Sequence, residues 1–127
     1  MPAMGTFRTT IHIESAEHRG MLRPVENALV DTGSELTWAP RQVLEDLGIR
    51  PEMVRRFIVA DGRQLERPVG IAIVHAGGTM APDYVVFAEP GDMILLGARS
   101  LEGLNLRVDT QRKLLIPAGP ILAGVAA

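Results

Sequence analysis

The sequence contains no cysteine and few aromatic residues, and no apolar run in it approaches the length of a membrane-spanning helix. The absence of cysteine excludes disulfide bonds, thiol nucleophiles and thiolate metal sites. Residues 1–5 lack the basic-then-apolar pattern of a secretory signal. The histidines His12, His18 and His75 have no ligand spacing. We therefore expect a cytoplasmic protein with no membrane contact, no metal and no cofactor.

An excess of charge of either sign is also missing. Thirteen basic residues stand against fifteen acidic ones, which gives a net charge of −2, and both signs are dispersed. No basic patch therefore supports binding to nucleic acid. A chain of 127 residues has the length of one domain with a real core. We predict a single domain over residues 1–127.

Glycine, proline and β-branched residues are abundant, by contrast. Thirteen glycines and nine prolines separate short stretches rich in Val and Ile, a pattern typical of β structure. It predicts strands over 6–15, 25–30, 36–38, 56–60, 65–75, 84–87, 93–96, 106–108 and 114–116. A short helix should start at Pro40 and stop at Gly48, and a helical turn should span 99–104. Many short strands with one or two short helices predict a small β-barrel or sandwich.

The stretch Ala28-Leu29-Val30-Asp31-Thr32-Gly33-Ser34 runs from an apolar strand directly into an acid. A carboxylate is unusual there, because burying an unpaired charge is costly. Gly33 permits a sharp turn and a close approach by another segment. The hydroxyls of Thr32 and Ser34 can hold the carboxylate and the turn. The same residue types are ordinary in turns, so the stretch alone leaves a functional site and a plain corner both open.

Two other stretches are equally open when they are taken singly. Ile94-Leu95-Leu96-Gly97 can be a core strand and its exit. Asp61-Gly62 predicts a two-residue hairpin turn, which can be an ordinary surface hairpin. Asp83 and Asp92 stand beside Pro or Gly and are expected in turns. Trp38 and Tyr84 are expected in the core or at its rim.

Taken together and in order, these pieces resemble the retropepsin-like aspartic proteases, in particular the small single-domain prokaryotic members of that clan. The matching pieces are Leu29 to Ser34, Val59-Ala60-Asp61-Gly62-Arg63, Ile94 to Gly97, and Leu101 to Leu106 with Val108-Asp109. They extend over most of the domain. The resemblance implies an all-β, retropepsin-like closed β-barrel with one or two short helices.

The resemblance also implies an aspartic endopeptidase. The chemistry of the family needs two facing aspartates, and this chain holds one Asp-Thr-Gly. We therefore expect a twofold homodimer in which each subunit supplies Asp31 to a shared site for a peptide or protein substrate. Two carboxylates at hydrogen-bond distance do not both ionise easily, so the pair should hold one proton. The ionised Asp31 then activates a water and the protonated one donates to the peptide carbonyl.

Supporting roles follow from the same resemblance. Thr32 is expected to hydrogen-bond across the dimer beneath the aspartates. The carbonyl of Gly33 is expected to hold substrate backbone, and the Ser34 hydroxyl to bind the outer carboxylate oxygen. The expected flap, which closes over an extended peptide, consists of Ala60, Asp61, Gly62 and Arg63. The second motif, Leu96 and Gly97, is expected to pack under the active loop.

Two features depart from the family pattern. Retroviral members follow the glycine of the second motif with an arginine that pairs with an acid, whereas here Ala98 precedes Arg99. An Arg99–Glu35 ion pair is the expected substitute. Residues 118–127 are uncharged and extend past the last expected strand. They can form an interface strand or a flexible tail, and residues 121–127 can instead enter a neighbour's cleft as a pseudo-substrate. A non-catalytic peptide-binding or scaffold dimer of the same fold is the alternative function.

Overall fold

A computed structural model describes residues 7–125 of the chain. Its strands are β1 (Phe7–Glu14), β2 (Leu22–Val30), β3 (Thr37–Pro40), β4 (Met53–Ile58), β5 (Gln64–Ala76), β6 (Thr79–Ala88), β7 (Leu95–Leu96), β8 (Leu106–Asp109) and β9 (Leu114–Pro117). Its helices are α1 (Arg41–Asp46) and α2 (Ala98–Gly103). No helix in residues 7–125 has the length and apolar character needed to cross a membrane. The predicted all-β class with two short helices is confirmed.

The strand pairings close into a ring. Seven strands form one sheet in the order β1-β2-β7-β3-β6-β5-β4. β5 also pairs with β1, where His12 lies opposite His75 and Glu14 opposite Ile73. The pairings therefore run from β1 round to β5 and back, while β4 extends outward as one arm of the β4–β5 hairpin. β8 and β9 form a separate two-stranded sheet.

The two faces of the sheet carry different apolar clusters, because successive residues of a strand point to opposite faces. In β6, Val85 and Phe87 belong to the main core, and Val86 and Ala88 to a smaller cluster around Trp38. The main core also includes Ile11, Ile13, Val30, Val74 and Leu96, together with Leu44 and Leu101 from the helices and Leu104 directly after α2. The smaller cluster lies on the side of the β4–β5 hairpin, where Phe57 contacts Trp38 edge to face.

β6 is longer than predicted, and the prediction that Asp83 lies in a turn is wrong. The strand begins at Thr79 and pairs with β5 from there to Val86. Pro82 is tolerated because β3 pairs only with residues 85–88, which leaves one edge of β6 without a strand partner at Pro82. A proline on such an edge removes no ladder hydrogen bond. A proline beside Asp83 favours a turn in the sequence alone, and the pairing with β5 overrides that preference.

Helix α1 is positioned as expected, with a shift of one residue at its start. Pro40 is the residue before the helix rather than its first residue. Gly48 ends the helical segment with φ of +74°, a left-handed conformation that favours glycine. Leu44 and Leu47 are buried beneath it.

Residues 118–125 contain no helix or strand. Their start is attached to the domain, because the Ala118 N–H donates to the Asn105 carbonyl and the Asn105 side-chain amide donates to the Gly119 carbonyl. Beyond that attachment, Ile121 and Leu122 are 78% and 91% exposed. The predicted strand start at Thr6 and the last two residues of the tail, 126–127, lie outside the described residues.

Candidate active site

Asp31 is the first residue after β2, and β7 fixes its backbone. β2 and β7 run parallel, with Leu29 opposite Leu95 and Val30 opposite Leu96. The Asp31 N–H continues this ladder by donating to the Leu96 carbonyl at 3.1 Å. The strand of the second motif therefore determines where the acid leaves the sheet.

A tight turn orients the Asp31 carboxylate. The Ser34 N–H donates to the Asp31 carbonyl at 3.1 Å, which closes the turn. The Gly33 N–H donates to Asp31 Oδ1 at 2.9 Å. Since a Cβ at Gly33 would lie 3.2 Å from that same oxygen, a side chain there would crowd the carboxylate. Thr32, at the tip of the turn, is exposed.

The Ser34 hydroxyl has a different partner from the one that the resemblance implied. It donates to the Leu36 carbonyl at 2.9 Å, and not to the outer oxygen of Asp31. A hydroxyl has one proton to donate. In this chain Ser34 therefore stabilises the loop between β2 and β3, and the Gly33 amide is what holds the carboxylate.

Gly97 lies where that loop crosses the second motif. A Cβ on Gly97 would be 2.6 Å from the Leu36 carbonyl carbon and 3.0 Å from the Glu35 oxygen. Backbone cannot move aside as a flexible side chain can, so only glycine fits. The next residue, Ala98, donates its N–H to the Ser34 carbonyl at 2.8 Å. The start of α2 is thus hydrogen-bonded directly to the loop between β2 and β3 that carries Asp31.

The predicted Arg99–Glu35 ion pair is wrong. The backbone N–H of Arg99 does donate to the Glu35 carbonyl at 3.0 Å. Its guanidinium, however, lies 3.6 Å from the Asp83 carboxylate and 5.4 Å from the centre of the Tyr84 ring. The reason is that Arg99 belongs to α2, which packs on β6, so its side chain reaches that strand.

Two buried hydroxyls behind the loop were not singled out from the sequence. Thr37 Oγ1 accepts the Gly97 N–H at 3.0 Å and lies 2.6 Å from Ser100 Oγ. Ser100 Oγ in turn donates to Asp83 at 2.8 Å. Thr in a strand and Ser in a helix are commonplace, and no motif connects them. Only the packing of α2 against β3 and β6 brings these groups together.

The β4–β5 hairpin has a three-residue loop rather than the predicted two-residue turn. The Val59 N–H donates to the Arg63 carbonyl and the Gly62 N–H to the Val59 carbonyl, an arrangement that places a glycine at a bulge. Gly62 has φ of +90°. At the tip, the backbone N–H and the guanidinium of Arg63 both bind Asp61, and they hold the pKa of that carboxyl below its usual value.

A cleft of about 1070 Å³ separates the Asp31 loop from this hairpin. Its walls contain Asp31, Gly33 and Ser34 from the loop, and Ala60, Asp61 and Arg63 from the hairpin. Thr32 and Gly62 do not line it, and Leu96 and Gly97 lie behind the loop. Its apolar lining residues include Leu36, Trp38, Phe57, Leu65, Met93 and Leu95. The cleft is therefore an apolar groove with a carboxylate on one wall and a polar hairpin on the other.

An ion pair fixes one end of this cleft. Arg67 of β5 binds Asp92 through two hydrogen bonds of 2.7 and 3.0 Å. The pair is largely buried, since the side chains of Arg67 and Asp92 are 18% and 11% exposed. The guanidinium lowers the pKa of Asp92. The turn before β7 is thereby attached to the hairpin strand.

Another acid is buried away from the cleft. Glu14 is 2% exposed and binds His75 at 2.7 Å and Arg19 at 3.0 Å. The Gly20 N–H, His75 and Arg19 lower the pKa of Glu14 to about 2. Among residues 7–125, no three His, Asp or Glu side chains are grouped so as to hold a metal ion. Glu14 therefore attaches the 15–20 turn to the sheet.

The chain is similar in sequence and in structure to known proteins. A family model described as "Aspartyl protease" matches residues 15–99, a span that includes Asp31 and Gly97. No curated protein gives a significant match. The chain is similar to the protease of simian foamy virus (mac), with 21% identity over 74% of this chain and 92% of that one and a TM-score of 0.48. It is also similar to the retroviral protease-like domain of Ddi1 from Leishmania major, with 18% identity over 87% and 88% and a TM-score of 0.49.

Proposed function

The chain belongs to the aspartyl protease family, and on this basis we propose that it is an aspartic endopeptidase that acts as a twofold homodimer. One observation carries the proposal. Asp31 directly follows β2, and the Gly33 amide holds its Oδ1. The carboxylate lies on one wall of a cleft whose other wall is the β4–β5 hairpin. An oriented carboxylate in a groove open to an extended chain is the arrangement that peptide hydrolysis needs.

The dimer follows from the number of acids. Each chain has a single Asp-Thr-Gly, whereas activation of a water and protonation of a carbonyl require both a base and an acid. A twofold axis beside the loop supplies the second group from an identical residue. The exposure of Thr32 at the tip of the loop supports this, since a second copy can approach there.

The reaction then proceeds without a covalent intermediate. Ionised Asp31 takes a proton from a water, and the oxygen of that water forms a bond to the carbonyl carbon of the peptide. Asp31 of the partner subunit donates its proton to the carbonyl oxygen, which gives a neutral tetrahedral diol. The diol collapses as the carbon–nitrogen bond breaks. The nitrogen takes the proton held by Asp31, and a diol hydroxyl returns one to Asp31 of the partner subunit.

Extended peptides are the proposed substrates. The hairpin and the Gly33 carbonyl can hydrogen-bond to a peptide backbone as in strand addition. Side chains that point to the floor meet Trp38 and Phe57, whose rings lie 4.9 Å apart. The residues of the substrate on that side should accordingly be apolar, while the Asp61–Arg63 tip faces a more polar part of the chain.

The tail is proposed to belong to the dimer. Ile121 and Leu122 are exposed in the single chain, and no charge interrupts residues 118–127. Burial of such side chains is favourable, and the proposed twofold assembly offers a partner surface on which they can be buried. Removal of residues 120–127 should therefore raise the dimer dissociation constant, measured by sedimentation, and leave the thermal stability of the monomer unchanged.

Cleavage of a diverse peptide library, read by mass spectrometry from acidic to neutral pH, tests the function. The wild type is compared with Asp31→Asn at a concentration where sedimentation detects the dimer. Asparagine keeps an oxygen for the Gly33 amide, so the variant should fold and dimerise. We expect cleavage by the wild type alone. A wild-type dimer that binds but does not cleave at any pH would contradict the proposal and favour the scaffold alternative.

A further inference from the structure

We propose that Asp83, Ser100 and Thr37 form a buried hydrogen-bond relay that positions the loop carrying Asp31. Its catalytic consequence rests on the proposed function, whereas its effect on the loop does not. None of the three residues lines the cleft. They are therefore positioning residues, which act through the backbone of the second motif.

The direction of the relay follows from the number of protons available. Ser100 Oγ donates to Asp83 Oδ2 at 2.8 Å, and this uses the one proton that the hydroxyl has. The hydroxyl of Thr37, 2.6 Å away, must then donate to Ser100 Oγ. The oxygen of Thr37 remains an acceptor, and it takes the Gly97 N–H at 3.0 Å. Each donor has one acceptor, and the relay ends at the Asp83 carboxyl.

Burial makes this relay a strong constraint. Thr37 and Ser100 are both 0% exposed, and the side chain of Asp83 is 6% exposed. Water cannot replace a lost partner at such sites, and each hydrogen bond polarises the next where the dielectric is low. Asp83 is itself fixed on β6 by the Tyr84 N–H at 2.7 Å. The relay therefore connects the wall of the sheet to Gly97.

The last link runs from Gly97 to the acid. Gly97 has little space to move toward the loop, because a Cβ on it would lie only 2.6 Å from the Leu36 carbonyl carbon. Its neighbours are bonded to the same loop, Leu96 to the Asp31 N–H and Ala98 to the Ser34 carbonyl. A shift of Gly97 would thus displace both ends of the turn that holds the carboxylate. A misplacement of about 1 Å in a reacting group can lower a rate ~100-fold.

Paired substitutions at one position separate the hydroxyl from packing. Thr37→Val keeps the methyl group and replaces the hydroxyl with a second methyl, whereas Thr37→Ser keeps the hydroxyl and removes the methyl. Ser100→Ala interrupts the relay with a minimal change of shape. Ser15→Ala is the matched control, since Ser15 is also buried and accepts two backbone N–H groups, but does not line the cleft.

With a cleaved library peptide as substrate, we expect kcat to fall at least ~10-fold in Thr37→Val and Ser100→Ala at nearly constant KM, the mark of an interaction that matters in the transition state. Thr37→Ser and Ser15→Ala should stay within about threefold of the wild type. A purely structural role would instead lower kcat in Thr37→Ser, which leaves a cavity, as much as in Thr37→Val. Equal kcat in Thr37→Val, Ser100→Ala and the wild type would overturn the proposal.

Amide hydrogen exchange decides the inference even if the wild type cleaves nothing, an outcome that would count against the proposed function alone. The amides of Asp31, Gly97 and Ala98 should exchange ~10-fold faster in Ser100→Ala than in the wild type, because local opening becomes easier. Amides of β1 should not change. Exchange that stays at the wild-type rate, or rises uniformly over the whole chain, would overturn the relay.

Discussion

The backbone N–H of Asp31 donates to the carbonyl oxygen of Leu96 at 3.1 Å. Two motifs that are distant in the sequence therefore end side by side, on parallel strands of the same sheet. The acid and the glycine after Leu96 are thus positioned by one ladder. A substitution in either motif should therefore displace the backbone of the other.

Gly97→Ala should destabilise the fold by more than ~2 kcal/mol, because the new methyl group would overlap the backbone of Leu36 and Glu35. Urea unfolding measures the loss. Gly103→Ala is the control, since its Cβ would meet only the side chain of Ala81, at 3.1 Å. Similar stability in the two variants would show that the loop can move away from Gly97, contrary to the tight crossing described above.

Gly62→Ala should weaken substrate binding more than it weakens the fold. Gly62 has φ of +90° at the hairpin tip, and an alanine there adds about 1 kcal/mol of strain, equivalent to roughly fivefold in an equilibrium. We expect KM to rise by about that factor, since the loop conformation over the cleft becomes less populated. Gly78→Ala introduces similar strain, at φ of +80° and outside the cleft. A KM that rises equally in both variants would contradict a flap role.

Local patterns in the sequence predicted the elements of the site. An apolar strand that ends in an acid, a Gly-containing turn and an Asp-Gly hairpin are all short-range signals, and the structure has each of them. The resemblance to retropepsin-like proteases is confirmed at the level of the family. The roles of Asp31, Thr32 and the hairpin residues remain predictions, because they depend on a second subunit and on substrate.

Long-range packing decided what the sequence could not predict. The partner of Arg99 is Asp83 rather than Glu35 because α2 lies on β6. β6 extends back to Thr79 because β5 pairs with residues 79–86, and the proline beside Asp83 does not interrupt the strand. Ser100 is hydrogen-bonded to both Thr37 and Asp83, each from a different element. No spacing within a single sequence encodes such contacts.

Glu14→Gln should remove a part of the stability that depends on pH. The pKa of Glu14 is about 2 in the folded chain, against an ordinary value of 4.5. A lowered pKa stabilises the folded state above the ordinary value, and this contribution is lost as the pH falls from about 4.5 to about 2. We expect the wild type to lose more stability than the variant over this window. At neutral pH the Tm of Glu14→Gln should be lower by roughly 3–8 °C.

Thermal unfolding between pH 2 and pH 7 measures both effects. Glu26→Gln is the control, because Glu26 is an exposed glutamate on β2. Its profile should follow that of the wild type. Parallel profiles for Glu14→Gln and the wild type below pH 4.5 would mean that the bonds to Gly20, His75 and Arg19 do not lower the pKa of this acid.

Arg67 and Asp92 should be strongly coupled in a double-mutant cycle. Their two hydrogen bonds are largely screened from water, and removal of either partner leaves a buried charge unpaired. We expect a coupling free energy of roughly 1–3 kcal/mol from urea unfolding of the two alanine variants and the double variant. Because the pKa of Asp92 is lowered, the coupling should be complete at neutral pH, begin to weaken near the ordinary value of 3.8 and be lost only below the lowered pKa.

The Asp61–Arg63 pair at the hairpin tip is the matched control for that cycle. It has the same chemistry and a similar contact of 2.7 Å, but its side chains are mostly exposed. Solvent screens such a pair, and ordering its side chains costs entropy. Its coupling free energy should therefore be much smaller than that of the Arg67–Asp92 pair. It should also decrease more when salt is added. If the two cycles gave equal coupling energies, burial would not be what makes the Arg67–Asp92 pair stabilise the end of the cleft. Its role there would then reduce to that of any surface ion pair.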